Sequence, residues 1–314
     1  MENNQSTNTL MMVRPVQFRF NEQTAVNNYY QKAIEGLSAS EIQLKAANEF
    51  DHFVEMLRSK NINVIVVEDT PEPSTPDSIF PNNWVSFHED GKVGLYPMYA
   101  PNRRLERRPD ILEKLQTKEG LKISEIIDFS HHEAEDRFLE GTGSMILDRP
   151  NRLVYIAISL RTDEKVLDEF CDKFGYKAIK FTANQTVDGK RLPIYHTNVM
   201  MCIANDFAIL CAKSIDDKEE RKTVIESLHN SGKEVIEISE KQKHHFAGNM
   251  LQVNGTDGKP YLVMSAAAHQ SLNEEQVKRI EKYCEIISSS LDTIEALGGG
   301  SARCMMAEVF LPKA

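Results

Sequence analysis

Gly298-Gly299-Gly300-Ser301-Ala302-Arg303-Cys304-Met305 sets three consecutive glycines ahead of a cysteine. Glycine has no Cβ, so this run can take positive φ and let the backbone approach a ligand closely. Successive N–H groups in such a turn form a nest that attracts anions. Arg303 places a fixed positive charge one residue from the sulfur. All three features favour the thiolate, the nucleophilic form of cysteine. A buried cysteine beside an ordinary turn would carry the same residues, and one motif does not decide a mechanism.

The remainder of the chain narrows the choice. Its 314 residues suffice for one large core or two ordinary ones. With 41% hydrophobic and 27% charged residues it reads as soluble and globular. No run approaches the roughly eighteen apolar residues that a membrane span needs. Met1-Glu2-Asn3-Asn4-Gln5-Ser6-Thr7 is polar and has no apolar signal core, which points away from export. Cys171, Cys202, Cys211, Cys284 and Cys304 are odd in number, widely spaced and free of any CxxC pair. A disulfide or zinc framework is therefore not expected, and a cytoplasmic location fits. The net charge of −10 opposes nucleic-acid binding, which requires a basic surface. The basic cluster Arg103-Arg104 with Arg107-Arg108 reads as a solvated helix start.

Periodicity and punctuation give the organisation. Residues 10–18 read as a strand, and Ser38 with Glu41 has capping-box spacing for a helix reaching Arg58. Asn63 to Val67 reads as a buried strand before a proline-rich loop at 71–81. A helix at 105–118, strands at 122–127 and 152–159, a helix at 162–174 and a strand at 177–181 follow. Strands at 193–203 and 207–212 lead to a helix at 217–231 and a strand at 234–238. Strands at 249–253 and 260–264, a long helix at 273–288 and a strand at 290–295 complete the series. The recurring unit is strand–strand–helix–strand. No linker divides it, so a polar tail over 1–9 and one domain over 10–314 are expected.

Polar residues at the ends of these elements are the candidate site, because catalytic groups sit on loops held by a rigid scaffold. Asp77 lies in Thr75-Pro76-Asp77-Ser78-Ile79-Phe80-Pro81-Asn82-Asn83-Trp84, where a plain turn aspartate would look the same. Glu140 precedes Gly141-Thr142-Gly143-Ser144 and could be an ordinary loop acid. Arg161, in Ser159-Leu160-Arg161-Thr162, could be a surface residue beside a helix. His196 lies in the apolar run Leu192-Pro193-Ile194-Tyr195-His196-Thr197-Asn198-Val199-Met200, where a hydrogen-bonded core histidine is the bland account.

In order and context, Asp77, Glu140, Arg161, His196 and Cys304 resemble the guanidino-group-modifying superfamily. This superfamily contains arginine deiminases, dimethylarginine dimethylaminohydrolases and amidinotransferases. Pro76-Asp77-x-x-Phe80 resembles its first substrate carboxylate and Glu140-Gly141-x-Gly143 its Glu-Gly-Gly. The Asp77 stretch through Trp84, with Asn102-Arg103-Arg104 and Glu106-Arg107-Arg108, is similar to the branch of citrulline-utilisation hydrolases.

The resemblance implies an α/β propeller of about five ββαβ modules with pseudo-fivefold symmetry, the pentein fold, as one amidinotransferase-like catalytic domain. It implies that Asp77 and Glu140 grip the substrate N–H groups, that Cys304 attacks, and that His196 shuttles protons with Glu140 orienting it. Arg161 would receive the substrate α-carboxylate. No metal or organic cofactor is called for. The expected partner is a small amino acid, with neither nucleic acid nor membrane; a homodimer is left open.

Asn198 departs from the pattern, since arginine deiminases and amidinotransferases usually carry aspartate two residues after the histidine. An amide both donates and accepts, which suits a neutral ureido group. Citrulline hydrolysis is thus the leading expectation, followed by guanidino hydrolysis and amidino transfer. A non-catalytic amino-acid-binding protein on the same scaffold is the rival from another class. A zinc enzyme built on His131, His132, His196 and Cys202 lacks ligand spacing.

Overall fold

The computed structural model describes residues 4–314. In chain order the strands are β1 (Thr9–Arg14), β2 (Asn63–Glu68), β3 (Val85–Phe87), β4 (Lys92–Leu95) and β5 (Glu125–Asp128). Next come β6 (Met145–Asp148), β7 (Leu153–Ala157), β8 (Lys177–Phe181), β9 (Asn184–Val187) and β10 (Lys190–Pro193). The last are β11 (Met201–Ile203), β12 (Phe207–Leu210), β13 (Glu234–Glu237), β14 (Leu251–Asn254), β15 (Pro260–Ser265), β16 (Glu285–Ser289) and β17 (Ala307–Glu308).

Apart from the β9–β10 hairpin, these strands form sheets of three that repeat one pattern: β3-β4-β5, β6-β7-β8, β11-β12-β13, β14-β15-β16 and β17-β1-β2. In each, one edge strand pairs antiparallel with the middle strand, which pairs parallel with the third. A parallel pair needs a crossover, and a helix supplies it. The crossovers contain Ala39–Ser59, Pro109–Thr117, Glu164–Phe174, Lys218–Asn230 and Glu274–Glu281. Their starts are written locally. Ser38 and Asn273 close capping boxes, Asp163 and Asp217 accept from backbone N–H groups, and Pro109 occupies the first turn. The first unit is assembled from both chain ends, since β17 joins β1.

The antiparallel strands β3, β6 and β11 are buried along their whole length. β17 packs against β3, β6 against β11, and β11 against β14, so these strands lie innermost. Apolar clusters fill the space between sheets and helices; Ile209, Leu210, Leu262 and Val263 are fully buried. Each such side chain contributes roughly 1.5–3 kcal/mol.

Several expectations need correction. The expected strand over 193–203 is instead the end of the β9–β10 hairpin, an irregular stretch, a 3₁₀ turn Thr197–Val199 and β11. Pro193 has no N–H to continue a ladder, so the strand stops there. The helix expected over 273–288 ends at Glu281. Ile286 and Ile287 pair with Leu262 and Val263, and this pairing overrides helical propensity. The expected strand at 290–295 is the helix Asp292–Gly298. The proposed tail over 1–9 is integrated from residue 4 onward as far as it is described. Gln5 is buried, donates to the Leu147 and Ile203 carbonyls and accepts from Arg149 N–H. β2, expected to be buried, is exposed at Asn63 and Glu68.

Candidate active site

The chain enters the antiparallel strand of each unit through a short turn, and these turns meet. Asn83 precedes β3, Glu140 opens the turn into β6, His196 and Asn198 precede β11, Asn249 precedes β14, and Cys304 precedes β17. The turn at 141–144 packs against those at 81–83 and 197–199, and 81–83 packs against 302–305. Five strand entrances thus deliver six polar residues to one place. A narrow cavity lies there, lined by Asp77, Arg161, His196 and Cys304 together with Asn83 and Arg103. A wider depression, lined by Thr9, Asn63, Asn254 and Val309, lies at the other end of the strands and holds none of these groups.

Glu140 is fully buried and central. Its Oε1 accepts from Tyr99 N–H at 2.9 Å, while Oε2 accepts from His196 Nε2 at 2.7 Å and Arg161 Nη1 at 3.3 Å. Burial alone would push this carboxyl up, but Arg161 and the His196 hydrogen bond hold it well below the usual carboxylate range. An ionised carboxylate only accepts, so Nε2 of His196 carries the proton and Nδ1 is left as a base. Burial pushes this imidazole down to about 4 despite Glu140, so it is neutral at neutral pH. Gly143 keeps the adjacent space open: a methyl there would collide with Asn83 Nδ2 and stand 2.9 Å from His196 Nδ1.

Cys304 is buried, and its sulfur accepts from two amides, Asn198 Nδ2 and Asn249 Nδ2, each at 3.3 Å. Arg303 does not serve the sulfur as its position in sequence suggested. Its guanidinium donates to the Met306 carbonyl and, at 2.8 Å, to Glu308. The glycine run does carry the expected freedom, with Gly299 at φ 63. Tyr195 and Asn28 tie that run down through the Gly299 carbonyl.

Asp77 Oδ2 accepts from Asn21 Nδ2 at 2.8 Å and Thr24 Oγ1 at 3.1 Å, leaving buried Oδ1 without a partner. Burial pushes its carboxyl up, against the pull of Arg103 and these two hydrogen bonds. Arg103, expected at a solvated helix start, is buried in a bidentate pair with Glu106, both contacts at 2.9 Å. Its Nη1 also donates to Asn83 Oδ1 at 2.7 Å. Arg161 is stacked on Tyr195 and engaged by Asn27, the Thr24 carbonyl and Glu140. The segment from Asn21 to Asn28 therefore straps both Asp77 and Arg161.

Sequence reasoning missed Arg103, Asn83 and Asn249. The spacing Arg103-x-x-Glu106 was a signal for a buried pair; Asn249 carried none. His131 and His132 come together with Glu169 as a group that could hold a metal ion, but they do not line the cavity. His196 and Cys202 are not part of that group.

Comparison with known proteins adds to this geometry. No curated protein sequence matches the chain significantly. The substrate-bound N-terminal domain of ArgZ, an arginine dihydrolase from the ornithine-ammonia cycle in cyanobacteria, matches with a TM-score of 0.73 at 16% identity. That match covers 98% of this chain and 99% of the ArgZ domain. Unliganded AgrE matches with a TM-score of 0.71 at 18% identity, covering 98% of this chain and 40% of that one. Dimethylarginine dimethylaminohydrolase, as its adduct with S-methyl-L-thiocitrulline, matches with a TM-score of 0.64 at 13% identity over 96% and 98% of the chains. The chain spans 41% of the length of the longer ArgZ chain. At these identities the likeness is one of fold. The profile of the family described as N,N dimethylarginine dimethylhydrolase, eukaryotic, matches residues 14–311. Matched over nearly its whole length, the chain belongs to this dimethylarginine dimethylhydrolase family, within the guanidino-group-modifying superfamily.

Proposed function

We propose that this chain is a cysteine-dependent C–N hydrolase acting on the ureido or guanidino group of an arginine-like amino acid, with citrulline as its best-matched substrate. The observation that carries the choice is a set of buried polar atoms without partners. Asp77 Oδ1 and Asn198 Oδ1 are acceptors, and Asn83 Nδ2 is a donor fixed by the grip of Arg103 on Oδ1. Buried polar groups are costly when unpaired. A ureido group has N–H on both nitrogens and one carbonyl acceptor, which in kind complements all three atoms. A guanidinium offers donors only and would leave Asn83 Nδ2 facing another donor.

In this reading His196 Nδ1 takes the Cys304 proton as sulfur bonds to the ureido carbon. The C–N bond to the ornithine nitrogen breaks, and His196 returns the proton to the leaving amine. A carbamoyl thioester remains. Water then loses a proton to His196 and attacks the carbon; the thiolate leaves and is reprotonated. Carbamate departs and decomposes to carbon dioxide and ammonia. Glu140 holds the Nε2 proton and stabilises the transient imidazolium. Arg161 receives the substrate α-carboxylate in exchange for its contacts to Asn27 and Thr24, so substrate entry displaces the strap. The five units are taken as blades of one pentein propeller and one domain, with β17 closing the first blade.

A guanidino substrate is the second reading, favoured by the ionisable Asp77 and by the family to which the chain belongs. Incubation with citrulline, arginine, N-methylated arginines and agmatine, scoring ornithine, citrulline, ammonia and methylamines separately, tests both. Ornithine from citrulline supports the first. Citrulline from arginine or a methylated arginine, with citrulline itself left intact, replaces it with the second.

A further inference from the structure

Four of the five strand entrances hold residues with a role in this chemistry, namely Asn83, Glu140, His196 with Asn198, and Cys304. The fifth is Ala247-Gly248-Asn249, ahead of β14. We infer that Asn249 is a further catalytic residue, holding and stabilising the Cys304 thiolate from the fifth unit. This inference rests on the reading of Cys304 as nucleophile.

Asn249 is fully buried and each end of its amide is fixed. Oδ1 accepts from the Arg303 N–H at 3.0 Å. Nδ2 donates to the Asn198 carbonyl at 3.0 Å and to Cys304 Sγ at 3.3 Å. The Arg303 contact sets the amide orientation, because a backbone N–H needs an acceptor, and so places the NH₂ on the sulfur. One side chain therefore locks the backbone beside the nucleophile, the backbone of the β11 entrance, and the sulfur itself. Gly248 lets this turn sit flush against the β11 entrance: a methyl there would stand 2.5 Å from the Val199 carbonyl oxygen.

A sulfur accepting two N–H bonds is better solvated as thiolate than as thiol, because hydrogen bonds to the charged form favour it. Arg303, the charge next in sequence, is committed to Glu308. The two asparagine amides thus do at the sulfur what the arginine was expected to do. They also explain how a buried thiolate is tolerated when it forms and when the carbamoyl group leaves.

The test is the pH dependence of iodoacetamide alkylation at Cys304, read by peptide mass mapping, in wild type, Asn249→Asp and Asn249→Ala, beside kcat and KM for citrulline. Asn249→Asp keeps the side-chain volume and the acceptor for Arg303 N–H, while it removes the N–H donated to the sulfur and to the Asn198 carbonyl and sets a negative charge beside them. The expected result is an alkylation midpoint moved to higher pH in both variants, more in Asn249→Asp. A kcat lowered about ten- to a hundredfold, the worth of a charge-assisted hydrogen bond, should accompany it with little change in KM. An unmoved midpoint in Asn249→Asp, with Cys304 still the residue whose alkylation stops turnover, overturns the inference and leaves the nucleophile reading standing. Turnover that survives complete alkylation of Cys304 removes that reading and the inference with it. Should Asn249→Ala fail to fold, the Asn249→Asp midpoint alone decides.

Discussion

Cys304 is one of five free cysteines and, among the described residues, the one that lines the cavity. Burial pushes the thiols of Cys202 and Cys284 up to about 12 and about 11, so they react slowly at neutral pH. Alkylation should therefore label Cys304 first, substrate should protect it, and Cys304→Ser should lose turnover; peptide mapping beside an activity assay checks all three. Arg161→Ala should raise KM for citrulline roughly 30-fold or more, because a charge-assisted carboxylate contact is worth on the order of 2–4 kcal/mol. The same change takes a partner from Glu140, so kcat should fall too; steady-state kinetics on citrulline and its decarboxylated analogue separate the effects. Asp77, Glu140 and Cys304 stand out in sequence because proline or glycine punctuation beside each marks a turn, whereas His196, expected on a strand, stands out through the family resemblance. Asn83, Arg103 and Asn249 do not, because their importance depends on which turns meet. Arg103 shows why: a cluster of four arginines suggests solvent, whereas Glu106 three residues on and the carbonyl of Phe80 satisfy the guanidinium in the interior.

The helices and strands were legible where capping and alternation agreed. Ser38 with Glu41 fixed the start of Ala39–Ser59, and β8 falls at the expected residues 177–181. Of the segments that differ from expectation, 273–288 is one where a long-range partner, β15, overrides local preference, whereas in 193–203 the missing N–H of Pro193 ends the ladder. Ser38→Ala should cost about 1 kcal/mol by loss of the cap while leaving kcat unchanged, as a denaturant midpoint and an activity assay would show. Gly143→Ala should act in the opposite sense. The added methyl must displace Asn83 or His196 rather than backbone, so the fold should survive while kcat drops more than about tenfold. Unchanged kcat in Gly143→Ala would mean that the space between Asn83 and His196 is not the reaction site.

At the scale of the whole molecule, two buried groups set opposite pH slopes. Burial holds His196 at about 4, below the ordinary 6.5, so between these values the unfolded chain binds a proton that the native state refuses. Stability contributed this way is lost as pH falls through that window. Burial pushes Glu295, which accepts from Ser301 beside the glycine run, up to about 7 from 4.5. The native state there keeps a proton that the unfolded chain releases, so this contribution is present at low pH and is lost as pH rises through 7. Glu295→Gln should therefore flatten the decline in stability between pH 4.5 and about pH 7, by about 1–3 kcal/mol in urea unfolding. The fivefold repetition that brings these groups together was legible as a recurring strand–strand–helix–strand order, though not as the inward convergence of the strand entrances. That convergence underlies the central claim, that Cys304 carries the ureido carbon of citrulline as a covalent intermediate. Its most direct test is acid-quenched citrulline turnover, read by mass spectrometry of the Cys304 peptide in wild type and by ornithine release from Cys304→Ala. A carbamoyl increment on Cys304 during turnover and no ornithine from the variant are expected. Ornithine released by Cys304→Ala at the wild-type rate, or an increment found on another residue, would contradict it.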